Sequence, residues 1–195
     1  MENKIFLRDF TQSWYQNGLP ALGRDVFEIA EFPGERIRQV NPVEVYFVGN
    51  STGGFAAILV ATLIGSGTAI AFAPQTFISP ISKRRHLDLS WPKQIATTYF
   101  TTLAERHVSD LKALLSANQS IAKIEIHVST KDRLDLIHAR RLRGICGTAI
   151  HEYDTGGHAL VRHLRHEDRL SGILQAHGQP GLDFTRIHHA IGSCF

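Results

Sequence analysis

Ser51 is the residue of this chain whose surroundings best suit a nucleophile. It lies in Gly49-Asn50-Ser51-Thr52-Gly53-Gly54, between an apolar run that predicts a strand (43–48) and one that predicts a helix (52–64). A sharp strand-to-helix turn strains its central residue and needs small neighbours, which the flanking glycines supply. This G-x-S-x-G turn would lift the serine hydroxyl above the sheet and aim the Thr52 backbone N–H at a developing oxyanion.

Glycine-rich turns also bind phosphates and dinucleotides. A phosphate-binding loop would need Gly-Lys-Ser/Thr after the glycines, and a dinucleotide site would need G-x-G-x-x-G; this turn has neither. A chance match stays open, because roughly one chain in fifteen of this length would carry the pattern by accident. The flanking strand and helix favour the nucleophile.

A serine becomes a good nucleophile only when a base takes its proton and an acid orients that base. The acid should follow a later strand, and Asp132 comes directly after the predicted strand 123–128 in a Ser-Thr-Lys-Asp loop. Asp135 is the alternative, but a helix that has already begun would turn it away. The pattern therefore favours Asp132 as the acid.

The base is predicted to be His158. It follows the predicted strand 148–153 and two glycines, Gly156 and Gly157, at the start of a helical pattern. A metal centre is the alternative, but His158, His163 and His166 are five and eight residues apart, which does not place all three on one helical face. The sequence thus predicts neither a metal nor another cofactor.

Five segments have the composition of strands and alternate with helical patterns. This alternation predicts an α/β fold: a three-layer α/β/α sandwich around a mainly parallel sheet of about five to six strands. The predicted strands are 4–8, 43–48, 68–73, 123–128 and 148–153. The predicted helices are at about 24–29, 52–64, 93–105, 134–142 and 158–170.

Length and composition predict one ordinary domain over residues 1–195, in which residues 79–107 could form a lid. The net charge of +3 is too small to indicate nucleic-acid binding, and no apolar run is long enough to cross a membrane. Two cysteines, Cys146 and Cys194, and the absence of a secretory signal are typical of a cytoplasmic protein.

The serine turn, the Ser-Thr-Lys-Asp loop and the Gly-Gly-His loop together resemble the α/β-hydrolase superfamily, in the order that superfamily shows. Arg8-Asp9 with Trp14-Tyr15, and Phe72-Ala73-Pro74-Gln75-Thr76, are similar to small bacterial hydrolase-like proteins. Only about fifty residues precede Ser51, so the resemblance implies a shortened version of the fold. The trimmed sheet would expose a strand edge, which a homodimer or residues 9–23 would cover.

The resemblance implies a serine hydrolase that acts on a small-molecule ester or thioester through an acyl-enzyme. Thr52 would supply one oxyanion donor, and a residue near Phe10 the other. The expected pocket wall is drawn from loop residues, for which a place in the core is the alternative: Trp14, Tyr15, Gln75, Phe77 and Trp91. Acyl transfer on the same triad and a non-enzymatic binding or accessory role remain the alternative functions.

Overall fold

The structure, a computed structural model, describes residues 3–101, 108–118 and 122–176. Four parallel strands form its sheet in the order in which they occur along the chain. The strands are β1 (Tyr46–Asn50), β2 (Thr68–Phe72), β3 (Lys123–Ser129) and β4 (Thr148–Tyr153). Because neighbouring strands are all parallel, their carboxyl ends and the loops that follow them lie at one edge of the sheet.

Helices fill the connections between the strands, as is usual for parallel pairing, and further helices precede β1 and follow β4. In chain order they are α1 (Val26–Val40), α2 (Thr52–Ile64), α3 (Pro80–Arg85), α4 (Pro92–Thr101), α5 (Leu111–Ala117), α6 (Arg133–Arg140), α7 (Leu160–His166) and α8 (Arg169–Gln175). A single 3₁₀ turn, Gly157–Ala159, precedes α7.

The α/β class and the parallel sheet are confirmed, but the predicted five to six strands are wrong for the described part of the chain, which has four. Residues 4–8 (KIFLR) form no strand. Ile5 and Phe6 are about half exposed, and among the described residues no strand pairs with this segment. The three-layer arrangement stays a prediction.

Two helices differ in extent from their predictions. Helix α1 runs on from the predicted 24–29 to Val40, with Pro33 inside it, and ends where Asn41 adopts the left-handed conformation. The predicted helix 158–170 divides into α7 and α8, because Asp168 between them has a positive φ of 53°. Part of the predicted helix 93–105 lies outside the described residues.

The apolar core consists of two clusters that take alternate residues of β2. Ala69 and Ala71 belong to the larger cluster, which includes side chains of α1, α2 and α5. Ile70 and Phe72 belong to the smaller cluster with leucines of α7 and α8. Alternate residues of a strand point to opposite faces, so the two clusters lie on opposite faces of the sheet.

Strand β1 is at one edge of the sheet. Its Val48 side chain is about half exposed, and the strand Tyr46–Asn50 contains no charged residue and no proline, the usual devices that block edge pairing. That a homodimer or residues 9–23 cover this edge stays a prediction. In the described part of the chain, no helix combines the length and hydropathy needed to cross a membrane.

Candidate active site

The turn at Ser51 has the strained backbone that the sequence indicates. Strand β1 ends at Asn50 and α2 begins at Thr52, which leaves Ser51 alone at the turn with φ 53° and ψ −114°. The Ser51 N–H donates to the carbonyl of Phe72 at the end of β2, a distance of 2.9 Å, which fixes the turn to the neighbouring strand. Strain of this kind persists only where the surroundings enforce it, and it is concentrated at functional sites.

The glycines around Ser51 differ in how much space surrounds them. A Cβ on Gly49 would lie 2.1 Å from the carbonyl oxygen of Gly53, so no side chain fits there. A Cβ on Gly54 would approach Pro74 to 3.0 Å. A Cβ on Gly53 would meet nothing within 4 Å, so the second glycine of the motif is not required by space.

The Ser51 hydroxyl is buried and forms no hydrogen bond. The residue is 5% exposed, and its Oγ makes no hydrogen bond, not even as a cap of α2. A buried polar atom without a partner is costly, and such atoms call for an explanation. Thr52 is the first residue of α2, where backbone N–H groups have no partner within the helix. The hydroxyl therefore lies at the positive end of a 13-residue helix.

The carboxylate beside His158 is that of Asp135, not the predicted Asp132. His158 Nδ1 lies 2.9 Å and 3.0 Å from the two carboxylate oxygens of Asp135. Asp132 is instead the N-cap of α6, and its Oδ1 accepts a hydrogen bond of 3.0 Å from the Asp135 N–H. Its carboxylate therefore holds the helix end in place, with a ligand atom still within 4.8 Å of those of Asp135 and His158.

The spacing of the two aspartates in the sequence could have indicated that Asp135 contacts His158, whereas the position of the strand end alone does not. Asp132 and Asp135 are three residues apart, as an N-cap and an N3 residue are at the start of a helix. A capping aspartate is committed to backbone N–H groups, which leaves the N3 carboxylate to project from the first turn. Asp135 is 4% exposed, so the interior encloses the carboxylate that the first turn directs toward His158.

The Asp135–His158 pair is charge-assisted. The hydrogen bond to Asp135 raises the pKa of His158 above its ordinary value, against the opposing effect of burial. Burial raises the pKa of Asp135, while the hydrogen bond from His158 acts in the opposite direction. An Nδ1–H that donates to Asp135 leaves Nε2 of the neutral ring as the proton acceptor, which is the tautomer a general base needs.

Ser129, at the end of β3, connects the acid loop to the histidine loop. Its side chain is fully buried, and its Oγ accepts hydrogen bonds from the backbone N–H groups of Lys131, at 3.0 Å, and Gly157, at 3.1 Å. Ser129 is not among the site residues predicted from the sequence. A serine at the last position of a buried strand, just before the acid loop, is the signal that could have indicated this role.

We expect Ser129→Ala to lower the rate at which a fluorophosphonate labels the protein, while the protein stays folded. Two partly buried N–H groups would lose their acceptor, which costs about 1–3 kcal/mol of unfolding free energy. The loops that carry Asp135 and His158 would shift relative to each other, and a misplacement of about 1 Å costs about 100-fold in rate. The rate of labelling by a fluorophosphonate measures this effect, with the exposed Ser116→Ala as the control. Equal rates for the two variants would contradict the role assigned to Ser129.

Trp14 and Gln75, both predicted as pocket wall, bond to each other in the interior. Trp14 Nε1 donates to Gln75 Oε1 at 2.6 Å, and both side chains are buried. Trp14 and Tyr15 both have positive φ values, and the Asp9 carboxylate accepts backbone N–H groups of residues 11, 13 and 15. The Asp9 carboxylate therefore holds the strained loop together, and the Trp14–Gln75 hydrogen bond joins it to the loop that follows β2.

The other predicted wall residues occupy different positions. Tyr15 is buried in the larger core cluster, and its hydroxyl donates to the Leu7 carbonyl at 3.1 Å. Trp91 is partly buried and meets Trp14 edge to face. Phe10 is mostly exposed, with the Arg8 guanidinium over its ring. The roles of these residues toward a substrate stay predictions.

Phe77 packs within a polar cluster that anchors part of the predicted lid. Its ring lies 4.1 Å from that of His138, centroid to centroid, and under the guanidinium of Arg141. The Nδ1 of His138 accepts the Thr76 N–H at 3.0 Å, so its proton is on Nε2, which faces Asp88 at 3.6 Å. Phe77 is therefore held mainly as a core residue.

Asp88 is the charged centre of this cluster and forms a buried ion pair with Lys83, at 2.6 Å. Burial alone would raise the pKa of Asp88, but His138, Lys83 and Ser90 hold it well below its usual range. Burial lowers the pKa of His138, so the ring is neutral. The cluster ties the start of the predicted lid, residues 79–107, to helix α6, which carries Asp135.

Several solved structures are similar to this chain in fold. No protein-family model and no curated protein matches the chain. Solved structures do match: an esterase from Exiguobacterium antarcticum superposes with a TM-score of 0.53 at 16% identity, covering 82% of this chain and 76% of that one. A monoacylglycerol lipase from Paleococcus ferrophilus matches at 0.51 and 15%, covering 82% and 81%. A lipase-esterase related protein from Clostridium acetobutylicum matches at 0.51 and 13%, covering 77% and 73%.

Proposed function

We propose that this chain, whose fold is that of the α/β-hydrolases, is a serine hydrolase that cleaves a carboxylic ester or thioester. The observation that carries the proposal is the hydrogen bond between Asp135, in the first turn of α6 after β3, and His158, in the 3₁₀ turn after β4. Both residues follow strands at the sheet edge where the strained turn of Ser51 lies. Serine, acid and histidine follow one another in the order typical of this fold.

In the proposed mechanism Ser51 attacks the acyl carbonyl while His158 takes its proton. Asp135 accepts the Nδ1–H of His158, which keeps Nε2 unprotonated before the attack and stabilises the imidazolium that forms. The Thr52 N–H stabilises the tetrahedral oxyanion, where one such donor is worth about 3 kcal/mol. A donor near Phe10 is proposed as the second. His158 then protonates the leaving alcohol or thiol, and water hydrolyses the acyl-enzyme.

The serine and the histidine are not hydrogen-bonded to each other. Ser51 Oγ has no hydrogen-bond partner, and the His158 side chain is half exposed. Catalytic hydrogen bonds are often long or unformed without substrate and tighten in the complex. The unbonded hydroxyl also favours the second candidate, a non-enzymatic binding or accessory protein that retains the fold.

Labelling by a fluorophosphonate probe separates these two functions, because the probe phosphonylates only a serine that a base has activated. We expect the wild-type protein to be labelled stoichiometrically and Ser51→Ala not at all. Ser171→Ala, a change at an exposed serine of α8, is the control and should be labelled like the wild type. A correctly folded wild-type protein that stays unlabelled would favour the accessory role.

The pH dependence of the labelling rate should reflect the pKa of His158 in the Asp135–His158 pair. Only neutral His158 can accept the serine proton, so the labelling rate should rise with pH as His158 deprotonates. Because Asp135 raises the pKa of His158, we expect the midpoint to lie above the ordinary histidine value of 6.5. Asp135→Asn removes the charge that stabilises the imidazolium and should move the midpoint to lower pH. A wild-type midpoint below 6.5 would contradict the assignment.

Transfer of the acyl group to an alcohol acceptor is the remaining alternative on the same residues. It would use the same acyl-enzyme, and water would have to be excluded from the site. Turnover of a p-nitrophenyl ester with and without an added alcohol distinguishes acyl transfer from hydrolysis, because a transferase releases nitrophenol faster when the acceptor is present. A series of acyl chain lengths would define the proposed pocket formed near Trp14, Gln75 and Trp91.

A further inference from the structure

Residues 80–89, in the connection between β2 and β3, carry three apolar side chains that project into solvent. Ile81 is 82% exposed, Leu87 71% and Leu89 85%. Single exposed apolar residues are ordinary on a protein surface, whereas a concentration of them indicates contact with a partner. The proposed hydrolase mechanism uses none of these three residues.

Helix α3, which begins this 80–89 segment, has two different sides. Its Lys83 side chain is buried and pairs with Asp88 at 2.6 Å. Ile81, Arg84 and Arg85 are exposed. The arginines follow the isoleucine by three and four residues, which places all three on one face of the helix. The outer face of α3 therefore presents an isoleucine beside two arginines.

Asp88 keeps the two leucines of the segment on the outside. Its carboxylate is buried and accepts hydrogen bonds from the Lys83 ammonium and the Ser90 N–H, and its own N–H donates to the Lys83 carbonyl at 2.9 Å. Leu87 and Leu89 lie on either side of this inward-facing residue and are exposed. The leucines are thus displayed by a turn that a buried ion pair holds in place.

Leu87 has a backbone conformation that ordinarily suits glycine. Its φ is 54°, which is uncommon for a bulky residue and costs conformational free energy. Because its side chain is exposed, the core gains little from a leucine at this position. An apolar contact outside the chain is what this residue fits.

The charges of the segment indicate the chemistry of its partner. Arg84 and Arg85 are exposed, and neither forms an ion pair with the residues that the structure describes. Asp88, which is the one acidic residue of the 80–89 segment, is buried against Lys83. The exposed part of the segment is therefore apolar and positive, which is complementary to a surface that is apolar beneath a layer of negative charge.

We propose that the 80–89 segment binds an anionic lipid surface. Ile81, Leu87 and Leu89 enter the boundary between headgroups and acyl chains, and Arg84 and Arg85 contact the lipid phosphates. A lipid surface accommodates projecting side chains without a shaped pocket, whereas a protein partner would need an apolar groove with acidic residues at its rim. This inference does not depend on the proposed hydrolase activity.

Sedimentation of the full chain with sucrose-loaded vesicles tests the proposal. The vesicles contain either phosphatidylcholine alone or three parts phosphatidylcholine to one part phosphatidylglycerol. We expect the wild type to bind the mixed vesicles about 25-fold more tightly, because each arginine near an anionic surface contributes about fivefold, and to lose this preference at high salt. Arg84→Gln/Arg85→Gln should remove the preference.

The apolar contact is tested separately from the charge. Leu87→Ser/Leu89→Ser should weaken binding to the mixed vesicles by at least about tenfold, and Ile81→Ser should weaken it as well. All three positions are exposed, so the melting temperature should stay close to that of the wild type.

Matched controls place the same changes on other exposed surfaces. Arg36→Gln/Arg38→Gln removes the same charge from α1, and Val40→Ser/Val43→Ser removes two exposed apolar residues before β1; both should bind like the wild type.

Three results would overturn the proposal. The first is a wild type that binds the two kinds of vesicle equally or not at all. The second is Leu87→Ser/Leu89→Ser that binds as tightly as the wild type. The third concerns a second copy of the chain as the partner: light scattering would show a wild-type dimer that Leu87→Ser/Leu89→Ser converts to a monomer. A molar mass that this double variant leaves unchanged, with weaker vesicle binding, supports the lipid surface.

Discussion

Asp135→Asn is expected to lower the rate of ester hydrolysis and of fluorophosphonate labelling by about 10³–10⁴-fold. The loss of an orienting carboxylate has this magnitude in Ser-His-Asp enzymes because the histidine takes the wrong tautomer. Here both carboxylate oxygens of Asp135 lie within 3.0 Å of His158 Nδ1, so an amide would present an N–H donor where the ring must donate. The folded structure should persist, because asparagine has nearly the shape of aspartate.

Asp132→Asn is the matched control. Asparagine serves as an N-cap about as well as aspartate, so it should keep the hydrogen bond to the Asp135 N–H and the start of α6. We expect the rate to fall only a few-fold, through the loss of a nearby negative charge. If Asp132→Asn lost more activity than Asp135→Asn, the acid would be Asp132, as the sequence pattern predicts, and the contact seen with His158 would not be the catalytic one.

Gly49→Ala is expected to disrupt the turn that presents Ser51. The new Cβ would lie 2.1 Å from the Gly53 carbonyl oxygen and 2.2 Å from its carbonyl carbon, well inside any tolerated contact. The obstacle is backbone, which can yield only if the turn opens. We therefore expect a loss of more than about 3 kcal/mol in unfolding free energy, at the upper end of overpacking effects. The remaining folded protein should lose fluorophosphonate labelling.

Gly53→Ala tests the same motif from its other side. A Cβ at this position meets nothing within 4 Å, and the residue lies in the first turn of α2. Alanine is favoured over glycine in helices by up to about 1 kcal/mol, so stability should stay level or rise slightly. Denaturation with urea, followed by circular dichroism, measures both variants. If Gly49→Ala and Gly53→Ala lost equal amounts of unfolding free energy, the close approach of Gly49 to the Gly53 backbone would not determine the stability of this turn.

The serine turn was predictable because its determinants are local. The strand before it, the helix after it and a glycine two residues before the serine are all contiguous in the chain, and the structure shows the turn they indicate. The same holds for the parallel strands β2, β3 and β4, whose apolar, β-branched runs mark them within one residue of the predicted bounds. The loop histidine was predictable because Gly156 and Gly157 precede it, and both adopt positive φ.

The carboxylate that hydrogen-bonds to His158 was not predictable on the same grounds. Whether Asp132 or Asp135 faces His158 depends on where α6 begins, and that is decided by which aspartate caps the helix. A shift of one residue in the start of a helix rotates its side chains by about 100°. Which carboxylate contacts His158 is therefore set by a cap whose position the loop sequence alone leaves open.

The number of strands and the burial of the aromatic loop residues depend on partners that are distant in sequence. Residues 4–8 have the composition of a strand, but they pair with no strand in the described part of the chain. Trp14 and Phe77 are aromatic loop residues that become part of the interior through distant partners, among them Gln75 and His138, each 61 residues further along the chain.

The sequence by itself determined the serine turn, the histidine loop and the parallel α/β class, because each depends on backbone conformations and periodicities that neighbouring residues impose. Only the tertiary structure decided which carboxylate contacts His158, the hydrogen bonds of Ser129 and the cluster of Lys83, Asp88 and His138. Each of these depends on side chains brought together by packing, and distances of a few ångströms between them follow from the register of strands and the start of helices.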